Sequence, residues 1–333
     1  MTVYYTIQHT TIFRYSQAVR ESVMVLHMQP RSEGSQHTFS FRVRLDPKAV
    51  LHSYRDHLSN VIHSFNIPGA HERLTVIAES LVEIRPPTEP PLSVGAHEWD
   101  DLRAAAAQPD LFDTLLPSKF VYTTPHLIQL MNQLDIRWLN DPLSTVRMIG
   151  SRLYRHFEYM PNTTTVDSTI DDILTDGKGV CQDYAHVMLS ICRELHIPAR
   201  YVSGYLVQEN RFGSAATIDQ SHAWVECYIP SLGWVGIDPT NDVIANEHHI
   251  RVAIGRDYDD VPPTRGVYKG VGEQILEVGV KIQLMDSIPT DESMQPIQYD
   301  RVEPPSSLPI SSSRKAAPPV PLDIQIQQQQ QQQ

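Results

Sequence analysis

The stretch that decides the fold reads Asp176-Gly177-Lys178-Gly179-Val180-Cys181-Gln182-Asp183-Tyr184-Ala185-His186. From the cysteine onward, apolar residues recur at helical spacing, at Cys181, Tyr184, Ala185, Met188, Leu189, Cys192 and Leu195. The pattern predicts an amphipathic helix that begins at Cys181 and is stopped by Ile197-Pro198. Cys181 therefore lies in the first helical turn, where unpaired backbone N–H groups and the helix dipole favour a negative charge.

This position allows two interpretations of Cys181. A helix N-terminus and a nearby imidazolium favour the reactive thiolate, and the same N–H groups could stabilise the oxyanion of a tetrahedral intermediate. Alternatively, Cys181 is only the first apolar residue of a core stripe, because free cysteine is often buried. For Cys192, further along the same face, and for Cys227, in the middle of a later segment, the core interpretation is favoured.

A second segment alternates apolar and polar residues, which is typical of a β-strand with one buried face. It reads His222-Ala223-Trp224-Val225-Glu226-Cys227-Tyr228-Ile229. Turn residues follow at 230–233, and Trp234-Val235-Gly236-Ile237-Asp238-Pro239 returns as a second strand, which the proline ends. Taken singly, His222 is more commonly a surface residue and Asp238 a turn cap. The order of cysteine, histidine and aspartate favours a catalytic set.

The length of the hairpin loop decides whether Asp238 can orient His222. A catalytic imidazole needs a hydrogen-bonding partner that holds its tautomer, so the two residues must share a face of the sheet. A four-residue loop (230–233) would place His222 and Asp238 on opposite faces of the sheet. A three-residue loop (230–232) places Asp238 opposite Trp224 and diagonal to His222. We therefore predict a loop of odd length, or a bulge that corrects the register.

The composition excludes several classes of protein. The chain has 333 residues, enough for two domains, and a formal net charge of −12 without a basic block, which argues against nucleic-acid binding. The N-terminus lacks the features of a signal peptide, and no stretch nears the roughly 20 apolar residues of a membrane span, so we expect no membrane association and a cytoplasmic location. Three cysteines argue against a disulfide framework. Without a Cys-x-x-Cys or His-Glu-x-x-His motif, and with His248-His249 adjacent rather than spaced along a helix, we expect no metal and no cofactor.

The chain divides into four predicted regions. Residues 1–85, with strands at 3–12, 39–45 and 74–84, predict an antiparallel β-sandwich-like domain. Residues 86–97 begin with four prolines in six positions and predict a linker. Residues 98–286 predict an α+β unit, with helix starts at Thr124-Pro125 and Asp141-Pro142 and strands near 199–207, 222–229, 234–238 and 274–284. Pro, Ser and Gln dominate 287–333, which predicts a disordered tail.

These residues resemble the bacterial transglutaminase-like superfamily in spacing as well as in type. The resemblance rests on Gly179-Val180-Cys181-Gln182-Asp183-Tyr184-Ala185, Gly204-Tyr205, Ser221-His222-Ala223-Trp224-Val225-Glu226 and Gly233-Trp234-Val235-Gly236-Ile237-Asp238-Pro239-Thr240-Asn241. It is strong over about 140–245, and residues 1–85 are similar to the β-rich region that often precedes this domain in bacteria. It implies a papain-like core, with helices packed on an antiparallel sheet. It also implies Cys181 as the nucleophile, His222 as the base and acid, and Asp238 as the residue that orients it.

The resemblance does not imply one reaction, because the superfamily includes cross-linking enzymes, proteases, amidases and inactive members. We expect acyl transfer on peptide or protein amides through a thioester, with hydrolysis favoured. A protein-glutamine transglutaminase with an amine acceptor and a non-catalytic binding or scaffold module are the alternatives. The resemblance also hints at ATP-grasp-like and helical partner proteins. No side chain upstream of Cys181 can be identified as part of an oxyanion hole.

Overall fold

Two antiparallel sheets, of eight and five strands, form the framework of this computed structural model. The structure describes residues 2–161, 163, 165, 167–207 and 221–285, together with the backbone of 324–328. None of the helices in these ranges is both long and apolar enough to cross a membrane.

The eight-stranded sheet is organised by one long strand, β1 (Val3–Leu26). The other N-terminal strands are β2 (Gln36–Asp46), β3 (His52–Arg55), β4 (Val61–Ile67) and β5 (His71–Ile84). The first half of β1 pairs with β5 and its second half with β4, with irregular register at 14–19 and 20–23. Such irregularities bend a strand, so β1 contributes to two halves of the sheet. Side chains from both halves form one core, as a sandwich-like domain requires: Phe13, Tyr15, Val19, Met24, Leu26, Met28, Phe65, Ile67, Leu74, Val76, Ala78 and Tyr268.

The C-terminal part of the described chain returns to this sheet, which the sequence did not predict. Strand β13 (Thr264–Lys269) pairs with the second half of β1, and β14 (Gln274–Met285) pairs with the first half over twelve residue pairs. The predicted strand near 274–284 therefore exists. We predicted it as part of the unit 98–286, and its backbone hydrogen bonds go to the N-terminal sheet.

The predicted disordered tail, 287–333, lies outside the described residues apart from β15 (Ile324–Gln328), whose backbone pairs with β13.

The helices lie between the two sheets in chain order, after residues 85–97, which contain neither helix nor strand. They are α1 (Glu98–Ala106), α2 (Pro109–Phe112), α3 (Pro125–Gln133), α4 (Pro142–His156), α5 (Ile170–Asp176) and α6 (Cys181–Glu194). Both predicted capping residues act as such: Thr124 accepts a hydrogen bond from the N–H of Leu127, and Asp141 accepts one from the N–H of Ser144.

The five-stranded sheet packs against α6 and has the order β11-β10-β9-β8-β12. Its strands are β8 (Ala199–Leu206), β9 (Ser221–Ile229), β10 (Gly233–Asp238), β11 (Val243–Ile244) and β12 (His249–Gly255). A short parallel pair, β6 (Glu158–Tyr159) and β7 (Lys178–Gly179), leads into α6. A 3₁₀ turn at Tyr258–Asp260 follows β12.

Helix α6 is buried on all sides instead of exposing a polar face to solvent, because every residue from Cys181 to Arg193 is buried. Several of its polar side chains have partners inside the protein. His186 stacks on Phe120 and accepts a hydrogen bond from the N–H of Tyr258, and Arg193 donates to the hydroxyl of Ser118. The apolar face of α6 belongs to a core that also contains Tyr5, Ile7, Val82, Ile84, Val280 and Ile282 of the first sheet. The two sheets therefore share one core around this helix.

Candidate active site

The backbone just before Cys181 turns tightly into the N-terminus of α6. Val180 is extended at the N-cap position, and its N–H donates to Oδ2 of Asp183 at 2.8 Å, one turn into the helix. A Cβ on Gly179 would lie 2.8 Å from the same carboxylate oxygen and 2.7 Å from Ile173, so only glycine allows this approach. Cys181 is completely buried, which fits the core interpretation as well as the catalytic one. Its neighbours decide between them.

The hairpin has the register that the catalytic interpretation requires. Gly233 pairs with Ile229, which leaves a three-residue loop at 230–232, as predicted. The same register, continued, places Asp238 opposite Trp224 and diagonal to His222. Nε2 of His222 lies 2.7 Å from Oδ2 of Asp238, and both side chains are buried.

His222 also reaches Cys181, so the three predicted residues come together. Because Nε2 of His222 faces Asp238, the nitrogen that remains for the thiol is Nδ1. Burial lowers the pKa of His222. The charge and hydrogen bond of Asp238, followed by the hydrogen bond and charge of Cys181, outweigh burial and raise this pKa from 6.5 to about 10. This site therefore favours a protonated imidazole next to the sulfur.

Asp238 is the most heavily hydrogen-bonded carboxylate of the site. Oδ2 accepts from Nε2 of His222, from Nδ2 of Asn241 at 2.8 Å and from Nε2 of His249 at 3.2 Å. Oδ1 accepts from the N–H of Thr240 at 2.9 Å. Burial alone raises the pKa of this carboxyl group, but the charge of His222 and the hydrogen bonds from both histidines hold it far below its usual range. Asp238 is therefore a fixed negative charge behind His222.

Trp224 forms a wall of the site, and two glycines make room for it. A Cβ on Gly204 in β8 would lie 2.6 Å from the indole of Trp224 and 2.2 Å from the carbonyl oxygen of Ile250. A Cβ on Gly236 in β10 would lie 2.5 Å from Ala245 and 3.4 Å from the indole nitrogen. The completely buried indole thus lies between glycines on the two strands that flank β9, and its ring stacks on His222 with centroids 6.1 Å apart.

Sequence reasoning missed two residues near the triad. His249 was noted only as half of an adjacent pair, and the signal that could have found it is its position at the start of a strand after the Asp238 turn. Tyr159 pairs with Gly179 across β6 and β7. Burial, and next the charge of Cys181, raise the pKa of Tyr159, so its hydroxyl keeps its proton near the thiol.

The other two cysteines lie in the core, as predicted. Cys192 and Cys227 are completely buried, and their sulfur atoms lie 3.8 Å apart, between α6 and β9. The hydrogen bond with Cys192, and next burial, raise the pKa of Cys227. This thiol is therefore held in its unreactive, protonated form.

Two clusters in the described chain bring three possible metal-ligand atoms within 4.8 Å of one another. One consists of His97, Glu98 and Asp101 at the start of α1, and the other of His222, Asp238 and His249. The second cluster is also part of a hydrogen-bond network. Asp238 accepts from His222, from the N–H of Thr240 and from the side chain of Asn241.

Comparison with known proteins agrees with this geometry. The Transglutaminase-like superfamily model matches residues 131–239, a range that contains Cys181, His222 and Asp238. The bacterial transglutaminase-like N-terminal region matches residues 5–83. An uncharacterized protein of Mycobacterium leprae is 33% identical over 275 residues, which cover 82% of this chain and 96% of that protein. The chain belongs to the transglutaminase-like superfamily.

Two further relatives and one solved structure extend the comparison. An uncharacterized protein of Mycobacterium tuberculosis is 29% identical over 297 residues, covering 84% of this chain and 92% of the relative. A candidate cysteine protease from Cytophaga hutchinsonii has the same fold, with a TM-score of 0.67 over 90% of this chain and 95% of that one, at 19% identity. The protein-glutamine gamma-glutamyltransferase of Pseudomonas aeruginosa is 36% identical over 120 residues, which are 33% of this chain and 18% of that enzyme.

Proposed function

We propose that this protein is a cysteine-dependent acyl-transfer enzyme that hydrolyses peptide or protein amides through a thioester. The observation that carries the proposal is His222, which is hydrogen-bonded to Asp238 on one side and to Cys181 on the other. A buried cysteine that only filled a core would need neither a charged imidazole beside it nor a carboxylate behind that imidazole.

In the first half of the proposed reaction, Cys181 attacks the amide. The proton of the thiol lies on Nδ1 of His222 in the imidazolium form that the site favours, and the sulfur it leaves behind forms a bond to the carbonyl carbon. The oxyanion develops near the N-terminus of α6, where backbone N–H groups and the helix dipole stabilise negative charge. The carbon–nitrogen bond then breaks as His222 returns its proton to the departing amine, and the acyl group stays on the sulfur.

In the second half, an acceptor releases the acyl group from Cys181. For hydrolysis, His222 takes a proton from water as its oxygen bonds to the thioester carbon. The carbon–sulfur bond breaks, a carboxylic acid is released, and the sulfur is left beside His222, which holds the proton that they share at the start. Asp238 keeps the imidazole oriented in both halves and stabilises its positive charge, while itself remaining ionised.

A second candidate differs only in the acceptor. If an amine takes the place of water, the same thioester yields a new amide, and the enzyme is a transglutaminase. The segment shared with the Pseudomonas aeruginosa gamma-glutamyltransferase supports this candidate. We favour hydrolysis because water is the acceptor that needs no binding site of its own.

The test offers a peptide pool to the protein with and without hydroxylamine. New amino termini without hydroxylamine support hydrolysis, and hydroxamates at glutamine side chains support the transferase. Cys181→Ala should abolish either product. Cys192→Ala is a matched control, because it makes the same change at an equally buried position of the same helix and should keep activity. Equal turnover by Cys181→Ala and the wild type would exclude the proposed nucleophile.

The cytoplasmic location, and ATP-grasp-like and helical proteins as partners, stay predictions. Cell fractionation and co-purification of the full chain would test them.

A further inference from the structure

Asp238 holds a second histidine, which the triad does not use. His249 begins β12, at the edge of the five-stranded sheet, and its Nε2 lies 3.2 Å from the same Oδ2 that receives His222. The side chain of His249 is only 3% exposed, and that of Asp238 is not exposed at all. A buried histidine must have its ring nitrogens satisfied, so this contact is part of how the site is built.

The surroundings of His249 place a proton on its Nε2. The backbone N–H of Asn246 points to Nδ1 at 3.2 Å, so Nδ1 accepts and the proton is on Nε2, which donates to Asp238. A doubly protonated ring could instead donate from Nδ1 to Oδ1 of Asn246, at 3.1 Å. Burial opposes that form: it lowers the pKa of His249, as do the charges of His222 and His248, although Asp238 raises it. In either form, Nε2 donates to Asp238.

Trp224 packs against both imidazole rings that share the carboxylate. Its indole meets His249 edge-on, with centroids 5.2 Å apart, and stacks on His222 from the neighbouring position in β9. The two imidazole centroids are 6.3 Å apart. Oδ2 of Asp238 thus lies between two N–H donors whose rings are both packed against one fixed side chain.

We propose that His249 is a positioning residue, whose neutral ring donates to Oδ2 of Asp238 and so holds this oxygen in line with Nε2 of His222. The proposal rests on the proposed function of the triad. A neutral donor suits this role, because it satisfies the carboxylate without competing with the positive charge that His222 must carry. Without it, Oδ2 keeps only the Asn241 amide as a second donor and Oδ1 the N–H of Thr240, so the carboxylate is held less firmly and the imidazole is less well directed towards Cys181.

The test compares His249→Phe with His249→Gln. Phenylalanine keeps an aromatic ring but has no donor. The amide nitrogen of glutamine reaches about as far as Nε2 and restores a neutral donor. The measurement is the rate at which iodoacetamide alkylates Cys181 at pH 6, followed by mass spectrometry, with Cys192 and Cys227 in the same molecules as references. We expect His249→Phe to slow alkylation of Cys181 by about tenfold and His249→Gln to stay within about threefold of the wild type.

Two results would overturn the proposal: His249→Phe reacting as fast as the wild type, or the two variants being slowed equally. Nitrogen NMR of the wild-type ring provides a second measurement that needs no variant to fold. A proton on Nε2 and a bare Nδ1 are expected, and the opposite tautomer would contradict the proposal. If wild-type Cys181 reacts no faster than Cys192, the proposed function fails, while the NMR result still tests the contact of His249.

Discussion

Replacing Asp238 with asparagine should remove the charge that makes His222 basic, with little change in volume. In the wild type, Asp238 is buried and contributes the largest effect that raises the pKa of His222. Asparagine can still accept a hydrogen bond from Nε2, so orientation is partly kept while the charge is lost. Burial, which disfavours the imidazolium, is then opposed only by Cys181.

The size of the effect follows from the pKa of His222. The rise from 6.5 to about 10 is about 3.5 pKa units, or about 5 kcal/mol in favour of the imidazolium. This corresponds to about 3,000-fold, which sets the scale of the effect: part of the rise comes from Cys181, and Asp238 must also offset the lowering by burial. We therefore expect Asp238→Asn to slow alkylation of Cys181 at pH 6 by about 100-fold or more, and turnover by on the order of 1,000-fold.

The assay is the second-order rate constant for iodoacetamide, measured on folded protein. Asp242→Asn is the matched control, since it makes the same change at an exposed aspartate four residues away, whose carboxylate accepts only from the hydroxyl of Ser151 among the bonds described. The control should react like the wild type. The reasoning is refuted if Asp238→Asn, at unchanged melting temperature, alkylates within about threefold of the wild type.

Three further predictions concern stability. The raised pKa of His222 stabilises the fold fully below pH 6.5, and this stability is lost as the pH rises to about 10. The lowered pKa of Asp238 stabilises the fold fully above the unfolded pKa of 3.8, and this stability is lost in acid. The difference in melting temperature between wild type and Asp238→Asn should therefore be largest between about pH 4 and 6.5; a difference that grows towards pH 10 would contradict this. Gly204→Ala forces a Cβ to 2.2 Å from a backbone oxygen and should cost about 3 kcal/mol in urea unfolding, whereas Gly279→Ala, with open space around its Cβ, should be neutral; equal costs would show that packing at position 204 is looser than described. Asp183→Ala leaves the backbone N–H of Val180, just before α6, without its acceptor and should cost about 1–3 kcal/mol by the same measurement; no loss would mean that this contact does not hold the turn.

The parts of the site that depend on local pattern could be predicted. The helix that starts at Cys181 follows from apolar spacing and the glycines before it, and the strand of His222 follows from alternation. Even the relation of His222 to Asp238 was accessible, because strand pairing has a period of two and only an odd loop puts both residues on one face.

The parts that depend on distant partners could not be predicted. Strand β14 alternates like any half-buried strand, and nothing in that alternation says that it pairs with β1, some 270 residues earlier. Likewise, α6 has a polar face in sequence, and only the packing of the 3₁₀ turn and of Phe120 against His186 shows that this face is buried.

The sequence by itself determined the cysteine, histidine and aspartate of the candidate site and the local element that carries each. It also determined that the hairpin loop must have an odd number of residues if His222 and Asp238 are to share a face. Local spacing and strand periodicity are properties of neighbouring residues, so they can be read without the fold. Only the tertiary structure decided that Cys181 and His222 meet, that His249 joins Asp238, and that one core unites the two sheets. Those outcomes depend on which buried surfaces fit together across long stretches of chain, and a sequence pattern carries no record of that fit.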